Sequence, residues 1–479
     1  MNVQSAPHMV SVSDPQLNPG CVGIACDVDI QELEPQHCYN DLSVVRGLIR
    51  DAMLQSGLGR RNPAVPLADI IKPGQSVLLK PNWVYHRNQL QLGDECLITH
   101  SQFVLHALGE VVAAKPSRVI LGDAPIQGCD WEALITPEFL SRVDAVASDS
   151  GVKIEVVDFR RTVTKTNDLG DGIDIDQRDL DRYVLFDLGK DSYLEPISSP
   201  RGRFRVTNYD PRELARRHQP GRHQYLLCKE LFEADVMLQL PKLKTHRKAG
   251  ITGAIKNIVG LNGNKDFLPH HRVGGSDSGG DCYQGRDLKM RTAEWLLDMA
   301  NRSLGSLAYR PLRKLAALQS RCLRNAPIGG LEGSWHGNNT CWRMVLDLNR
   351  ILRFGTVDGR IADKPQRSIY SLTDAIVCGQ GDGPLAPEPL VVGAVTFASN
   401  SVAAEWIHCA ILGLDPTKIP LVQQARAQSP WTLLERDSEP HGRLDSHQVS
   451  FEDIREMIGV RAKPPGGWEG QIELEVAVS

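Results

Sequence analysis

The sequence predicts an α/β protein: a parallel or mixed sheet with helices on both faces, two lobes around a cleft, and a polar insertion. Two observations carry this expectation. Short β-rich runs alternate with segments of helical periodicity along most of the chain, a pattern that lays strands side by side under covering helices. Several of those runs lead directly into lysine, asparagine, aspartate or histidine. In open parallel sheets, ligands bind beyond the carboxyl ends of the strands.

Residues 1–19 are polar and rich in Pro and Ser, and read as a flexible tail. An N-terminal α/β lobe is predicted over 20–158, opening with a strand at Val22–Ala25. Leu42–Met53 carries apolar residues at helical spacing, with Asn40 or Asp41 as N-cap. Ser76–Leu79 is a strand ending in Lys80-Pro81-Asn82-Trp83. Phe103–Val112 is helical, and Arg118–Leu121 is a strand running into Gly122-Asp123-Ala124-Pro125. A helix over Ala133–Ala147 and a strand over Ile154–Val157 complete the lobe.

Residues 159–224 are dense in Asp and Arg, with β-like pieces such as Tyr183–Phe186, and read as an insertion. A C-terminal α/β lobe is predicted over 225–428. Its strand Ala234–Leu240 delivers Pro241-Lys242-Leu243-Lys244-Thr245-His246, and a helix is expected over Thr252–Gly260. A Gly/His/Asp-rich loop spans 262–287; loops of that length are commonly functional. Helices follow over Ala293–Arg324 and Trp342–Leu352, then a strand over Val391–Phe397 and a helix over Val402–Leu412. Residues 429–479 read as a polar tail.

Composition excludes several classes. A hydrophobic fraction of 41% and a charged fraction of 23% do not fit a disordered, collagenous or coiled-coil chain. The net charge, 54 − 58 = −4, argues against the whole chain as a nucleic-acid binder. No uncharged apolar run reaches the ~20 residues of a membrane helix, so no membrane partner is expected. The 11 cysteines include no pair separated by only two residues. That spacing disfavours a zinc ribbon, an iron–sulfur cluster and electron transfer. Reduced thiols in the cytoplasm are expected.

The polar groups after the strands define a candidate site. Lys244 and His246, two apart in an extended segment, point to one side. A lysine anchors a carboxylate or phosphate, and a histidine near neutrality moves a proton. Lys80, Asn82, Asp123, Lys242 and Asn257 join them as substrate-binding candidates, and Lys256 as a catalytic one. Thr252 and Gly253 would open a helix whose free N–H groups suit an anion. The stretch is neither a phosphate-binding Gly-Lys-Ser/Thr loop nor a dinucleotide fingerprint. His270 and His271 form an adjacent pair in the following loop, and His271 is taken as a catalytic candidate. Asp347 and Asn349 cannot share a helix face. Asp374 and Gly379-Gln380-Gly381-Asp382-Gly383-Pro384 read as a glycine-rich turn bringing Asp382 to the site. Nothing marks Cys378 as a nucleophile, and no Gly-x-Ser-x-Gly elbow is present.

Taken together, Lys80-Pro81-Asn82, Lys242-Leu243-Lys244-Thr245-His246, Gly253-Ala254-Ile255-Lys256-Asn257-Ile258-Val259-Gly260 and Asp374…Gly381-Asp382-Gly383-Pro384 resemble the domain of unknown function family 362. The resemblance runs from about Val77 to Pro420. Some members carry an added ferredoxin module, and this chain lacks its cysteines. Where that family has acidic residues around the last helix, this chain has Asn400 and Glu405. More distantly, Gly253-Ala254-Ile255-Lys256 followed by His270 or His271 is similar to the lactate racemase catalytic family. That likeness implies a lysine holding a nickel-pincer nucleotide and a histidine serving the metal or the proton chemistry; a divalent metal is the other cofactor considered.

The expected function is an enzyme acting on a small carboxylate or phosphate by proton or hydride transfer, isomerase-like in the manner of a racemase or epimerase. His246 or His271 would be the acid/base and the lysines the anion anchors. The alternative is a non-catalytic module binding an anionic small molecule or polysaccharide precursor.

Overall fold

The computed structural model describes residues 17–166, 172–303, 306–321, 327–427, 429, 431–435 and 437–475. Most of the predicted N-terminal tail lies outside them. An 11-stranded mixed sheet organises the chain, with helices on both faces. Along the sheet the order is His447–Val449, His441–Leu444, Cys21–Cys26, Ala386–Ala398, Ser368–Asp382, Val236–Leu240, Ser76–Pro81, Arg118–Asp123 and Lys153–Asp158. Lys242–His246 pairs with Ser368–Asp382 and with Gly250–Thr252. The strands from Ser368–Asp382 through Val236–Leu240 to Lys153–Asp158 are parallel. The long hairpin Ser368–Asp382/Ala386–Ala398 supplies an antiparallel pair. Strands from 20–158 and from 225–428 interleave in this one sheet.

Alternation along the parallel strands separates two cores, because successive side chains leave opposite faces. Leu78, Ile120 and Met237 pack on one side, against the helices Cys341–Phe354 and Ser401–Leu412. Val77, Leu79, Val119, Leu121, Val236 and Leu238 pack on the other. That second face is covered by Leu42–Gln55, Ser101–Ala113 and Pro137–Ser150. Burial on both faces accounts for strands that read as continuous apolar runs. Asp41 caps its helix by accepting from the amides of Ser43 and Val44.

Several elements depart from the sequence reading. The helix expected over Ala133–Ala147 is broken, because Thr136 caps a new helix whose first residue is Pro137. The helix expected over Ala293–Arg324 is two, Leu288–Arg302 and Tyr309–Arg321, with its last residues outside those described. Between them stands Ser303-Leu304-Gly305-Ser306, which carries weak helix formers.

No α-helix forms over Thr252–Gly260. Gly250–Thr252 is a strand, a turn follows, and Asn257–Leu261 makes one short 3-10 turn. The amide of Ile255 donates to the buried Glu405 carboxylate at 2.9 Å instead of to a helical carbonyl. Gly379–Asp382 is strand rather than turn. A Cβ at Gly379 would stand 2.7 Å from the Cβ of Lys244, so glycine here lets the lysine strand approach.

Residues 159–224 form small sheets of their own, including Tyr183–Asp187 with Arg222–Cys228. Phe204–Arg205 pairs with His271–Arg272, which fastens the long loop against this segment. In the polar C-terminal stretch, His441–Leu444 adds to Cys21–Cys26 and the helix Phe451–Met457 follows.

Candidate functional site

A cleft of about 710 Å³ opens at the carboxyl ends of the parallel strands, within the range of small-molecule sites. Asn82 and Asp123 reach it from the ends of Ser76–Pro81 and Arg118–Asp123. Lys244 and His246 reach it from one strand, and Thr252 from the strand antiparallel to it. Lys256, Asn257 and Gly260 come from the turn beyond, Lys265 and His270 from the long loop. Asp382 stands exposed at the rim and accepts from the amide of Gly466 at 3.0 Å.

The floor is a closed polar network. Lys80 pairs with Asp123 at 2.8 Å, both buried. Its ammonium also donates to the Pro81 carbonyl at 2.8 Å and to Asn257 Oδ1 at 3.2 Å. Asp123 accepts in addition from the amides of Trp83 and Ala124. Gly260 is essential to this packing. A Cβ there would fall 1.8 Å from Asp123 Oδ1 and 2.7 Å from Lys80 Nζ. Lys80 therefore supports the wall from behind, and Asp123 and Asn257 present the network to the cleft.

Four more lysines line the cleft: Lys244, Lys248, Lys256 and Lys265. Lys244 donates to the Leu97 carbonyl and, at 3.4 Å, to Asn82 Oδ1. Lys265 donates to the carbonyls of Ala124 and Asn262. Lys248 donates to Thr207 Oγ1 at 3.1 Å. Among the described residues, no hydrogen bond or ion pair engages the Lys256 ammonium, although the residue is only 8% exposed. Burial pulls all four lysines below the usual ammonium range, Lys244 and Lys265 to about 7. Neighbouring cations push the same way: Lys242 and Lys256 on Lys244, Lys80 and Arg160 on Lys265.

The two cleft histidines are fixed in opposite tautomers. His246 Nδ1 accepts from the amide of Lys248 at 3.0 Å. A backbone N–H only donates, so Nδ1 carries no proton and the neutral ring holds its hydrogen on Nε2. Burial and the nearby Lys256 push this imidazole well below its ordinary pKa. His246 therefore presents its Nε2–H as a hydrogen-bond donor. His270 Nδ1 lies 2.7 Å from the Leu268 carbonyl and donates to it. No hydrogen bond engages its Nε2 among the described residues, and burial and Lys248 lower its pKa to about 3.

Not every predicted residue joins the cleft. Lys242 forms a buried pair with Asp374 at 2.7 Å and donates to Tyr39. The pairing register with Ser368–Asp382 shifts between the two lysines, so that Lys242 stands opposite Asp374 and Lys244 opposite Gly379. His271 is drawn into its pairing with Arg205, and its Nδ1 has no partner among the described residues; the adjacent His270 faces the cleft instead. Asp347 is held by Ser192 and Tyr225, whereas Asn349 donates to the Ile255 carbonyl beneath the site. Gly253 makes room for protein, not for a ligand: a Cβ would lie 2.8 Å from the Glu405 carboxylate. Asn400 caps the last helix of the sheet face.

Sequence reasoning does not find Lys248, Lys265 or the hydroxyl of Thr252. Lys248 lies in the turn after the lysine strand, where strand alternation no longer places side chains. Lys265 has no local signal, since its ammonium is placed by the distant Ala124 carbonyl. The described cysteines are all unpaired, and no group of three His, Cys, Asp or Glu side chains among the described residues is placed to hold a metal.

Residues 198–410 match the family described as Domain of unknown function (DUF362). The resemblance read from the sequence is shown over that segment, which holds the lysine strand, the turn, the loop and Asp382. A relationship to the lactate racemase family is not shown. Among curated proteins nothing matches. A crystal structure of a protein from Thermotoga maritima is similar at 9% identity and a TM-score of 0.33. The likeness covers 79% of this chain, which spans 59% of that one.

Proposed function

We propose that the cleft binds a small carboxylate or phosphate and moves a proton on it, as an isomerase-like enzyme would. One observation carries this reading. The hydroxyl of Thr252 is buried without a hydrogen-bond partner among the described residues, and Lys256, a buried residue lining the same cleft, has no hydrogen bond or ion pair to its ammonium among them. A buried polar group left unpaired costs roughly 1–3 kcal/mol, and an anion would satisfy both at once. His246 Nε2–H adds a third donor from the same wall.

Within this reading each group has one task. Lys256 and Thr252 hold the anion. His246 donates a hydrogen bond to an oxygen that gains charge, a role that suits a neutral imidazole. Lys244 is the base. With its pKa at about 7, a useful share of it is the free amine at neutral pH, the condition for general-base work. Burial of the cleft strengthens each interaction by excluding water.

The test spans several substrate classes at once. Panels of 2-hydroxy acids, 2-amino acids and phosphorylated sugars are incubated with the protein in D2O and followed by proton NMR. Exchange of a carbon-bound proton is expected in one class, and Lys244→Met should abolish it while phosphate still binds. Binding without exchange in any class would instead make the chain an anion-binding module.

A further inference from the structure

The helices Leu288–Arg302 and Tyr309–Arg321 pack as an antiparallel pair, and Gln319 Nε2 donates to the Lys289 carbonyl at 3.1 Å. One face of each is inward. Met290, Ala293, Leu296 and Ala300 are buried from the first, Ala316 from the second. The outward face is unusually apolar for a surface. Trp295 is 58% exposed, Leu307 between the helices 89%, and Leu288, Leu315 and Leu318 are exposed with them.

Charge on this pair is one-sided. Leu288 to Arg321 holds seven Lys/Arg and two acids, 7 − 2 = +5, in a chain whose net charge is −4. Both acids are turned inward: Asp298 pairs with Arg205 at 2.8 Å, and Glu294 is buried, accepting from the amide of Gly274. Lys289, Arg291, Arg302, Arg313 and Lys314 are exposed. Exposed Leu and Trp interleaved with Lys and Arg are the composition of helices that lie in a bilayer interface.

We propose that the outward face of this helix pair docks on an anionic lipid surface. The Leu and Trp side chains would enter the headgroup boundary while the basic side chains meet the lipid phosphates. A second copy of the chain is disfavoured, because a two-fold contact would set +5 against +5. Tyr309 and Arg313 of the same pair also line the cleft, so the docked face stands beside the cleft opening. The docking proposal does not rest on the anion reading of that cleft. The sequence alone predicts no membrane partner because nothing in it spans one. Indeed, among the described residues no helix is long and apolar enough to cross a membrane. A pair lying on the surface has no such requirement.

The test is vesicle flotation of the full chain. Vesicles of phosphatidylcholine mixed with phosphatidylglycerol are compared with phosphatidylcholine alone. At about 1 kcal/mol per basic residue near an anionic surface, a preference for the mixed vesicles of at least ~tenfold is expected. It should shrink with salt. Leu315→Ser/Leu318→Ser and Lys289→Glu/Arg291→Glu change exposed positions only, and each should lower binding about tenfold with melting temperature unchanged. No flotation with either vesicle, equal flotation with both, or variants that float like wild type would overturn the proposal. So would sedimentation showing a dimer, without lipid binding, that the Leu315/Leu318 variant dissolves.

Discussion

Replacing Lys256 with methionine separates a ligand-binding lysine from a structural one, because the two roles predict opposite signs. A structural lysine stabilises the free protein through its partners. Lys256 has no hydrogen bond or ion pair to its ammonium among the described residues, and burial lowers its pKa, with Cys341 and Glu405 opposing and Lys248 adding to the fall. Lys256→Met keeps a similar apolar stem and removes a charge that burial disfavours. The free variant should therefore melt at or above the wild-type temperature. Binding should suffer. One charge-assisted hydrogen bond is worth roughly 1.5–3 kcal/mol, which is about 10- to 150-fold in dissociation constant. The assay is thermal denaturation with phosphate or oxalate, against chloride at matched ionic strength. Phosphate or oxalate at a hundred times its dissociation constant adds about 2.7 kcal/mol of stability to the wild type, and about half to nine-tenths of that increment should vanish in the variant at the same concentration. A variant that melts well below wild type and keeps the full increment would refute the reasoning.

Other expectations follow from the same geometry. Gly260→Ala drives a Cβ into the Asp123 carboxylate and should break the buried Lys80 pair, at a cost of about 3–5 kcal/mol measured by chemical denaturation. For pH, Lys244 and Lys265 have folded pKa values near 7 against an ordinary 10.5. Between those values the unfolded chain binds more protons, so these groups make the free protein more stable as pH rises from about 7 towards 10. Oxalate, which stays ionised, should bind more weakly over that same window as the ammonium charges are lost; an affinity that is flat or rises would contradict the lysine assignment. His246→Leu removes the Nε2–H donor and should weaken anion binding about tenfold, checked by calorimetry. Purified protein should carry no iron or acid-labile sulfide by elemental analysis, since the described cysteines form no metal-holding group.

The fold was legible because its strands are apolar runs buried on both faces, and Ser76–Pro81, Arg118–Asp123 and Val236–Leu240 announce themselves locally. Post-strand residues Asn82, Asp123 and Lys244 follow from that frame. What the sequence hid depends on partners far along the chain. The turn at Gly253–Lys256 has a helical pattern, yet Glu405, 150 residues away, takes the amide of Ile255. Lys242 and Lys244 look equivalent in sequence, yet Lys242 stands opposite Asp374, 132 residues away, and pairs with it, whereas Lys244 stands opposite Gly379. The choice between His270 and His271 turns on a two-residue pairing with Phe204–Arg205, which no local pattern encodes.

Equilibrium dialysis with radiolabelled phosphate and oxalate, on wild type and on Lys256→Met at matched ionic strength, tests the anion site most directly. One saturable site per chain is expected for at least one of the two anions, weakened about tenfold or more in the variant. Uptake that never saturates, or saturable binding that is the same in both proteins, would contradict it.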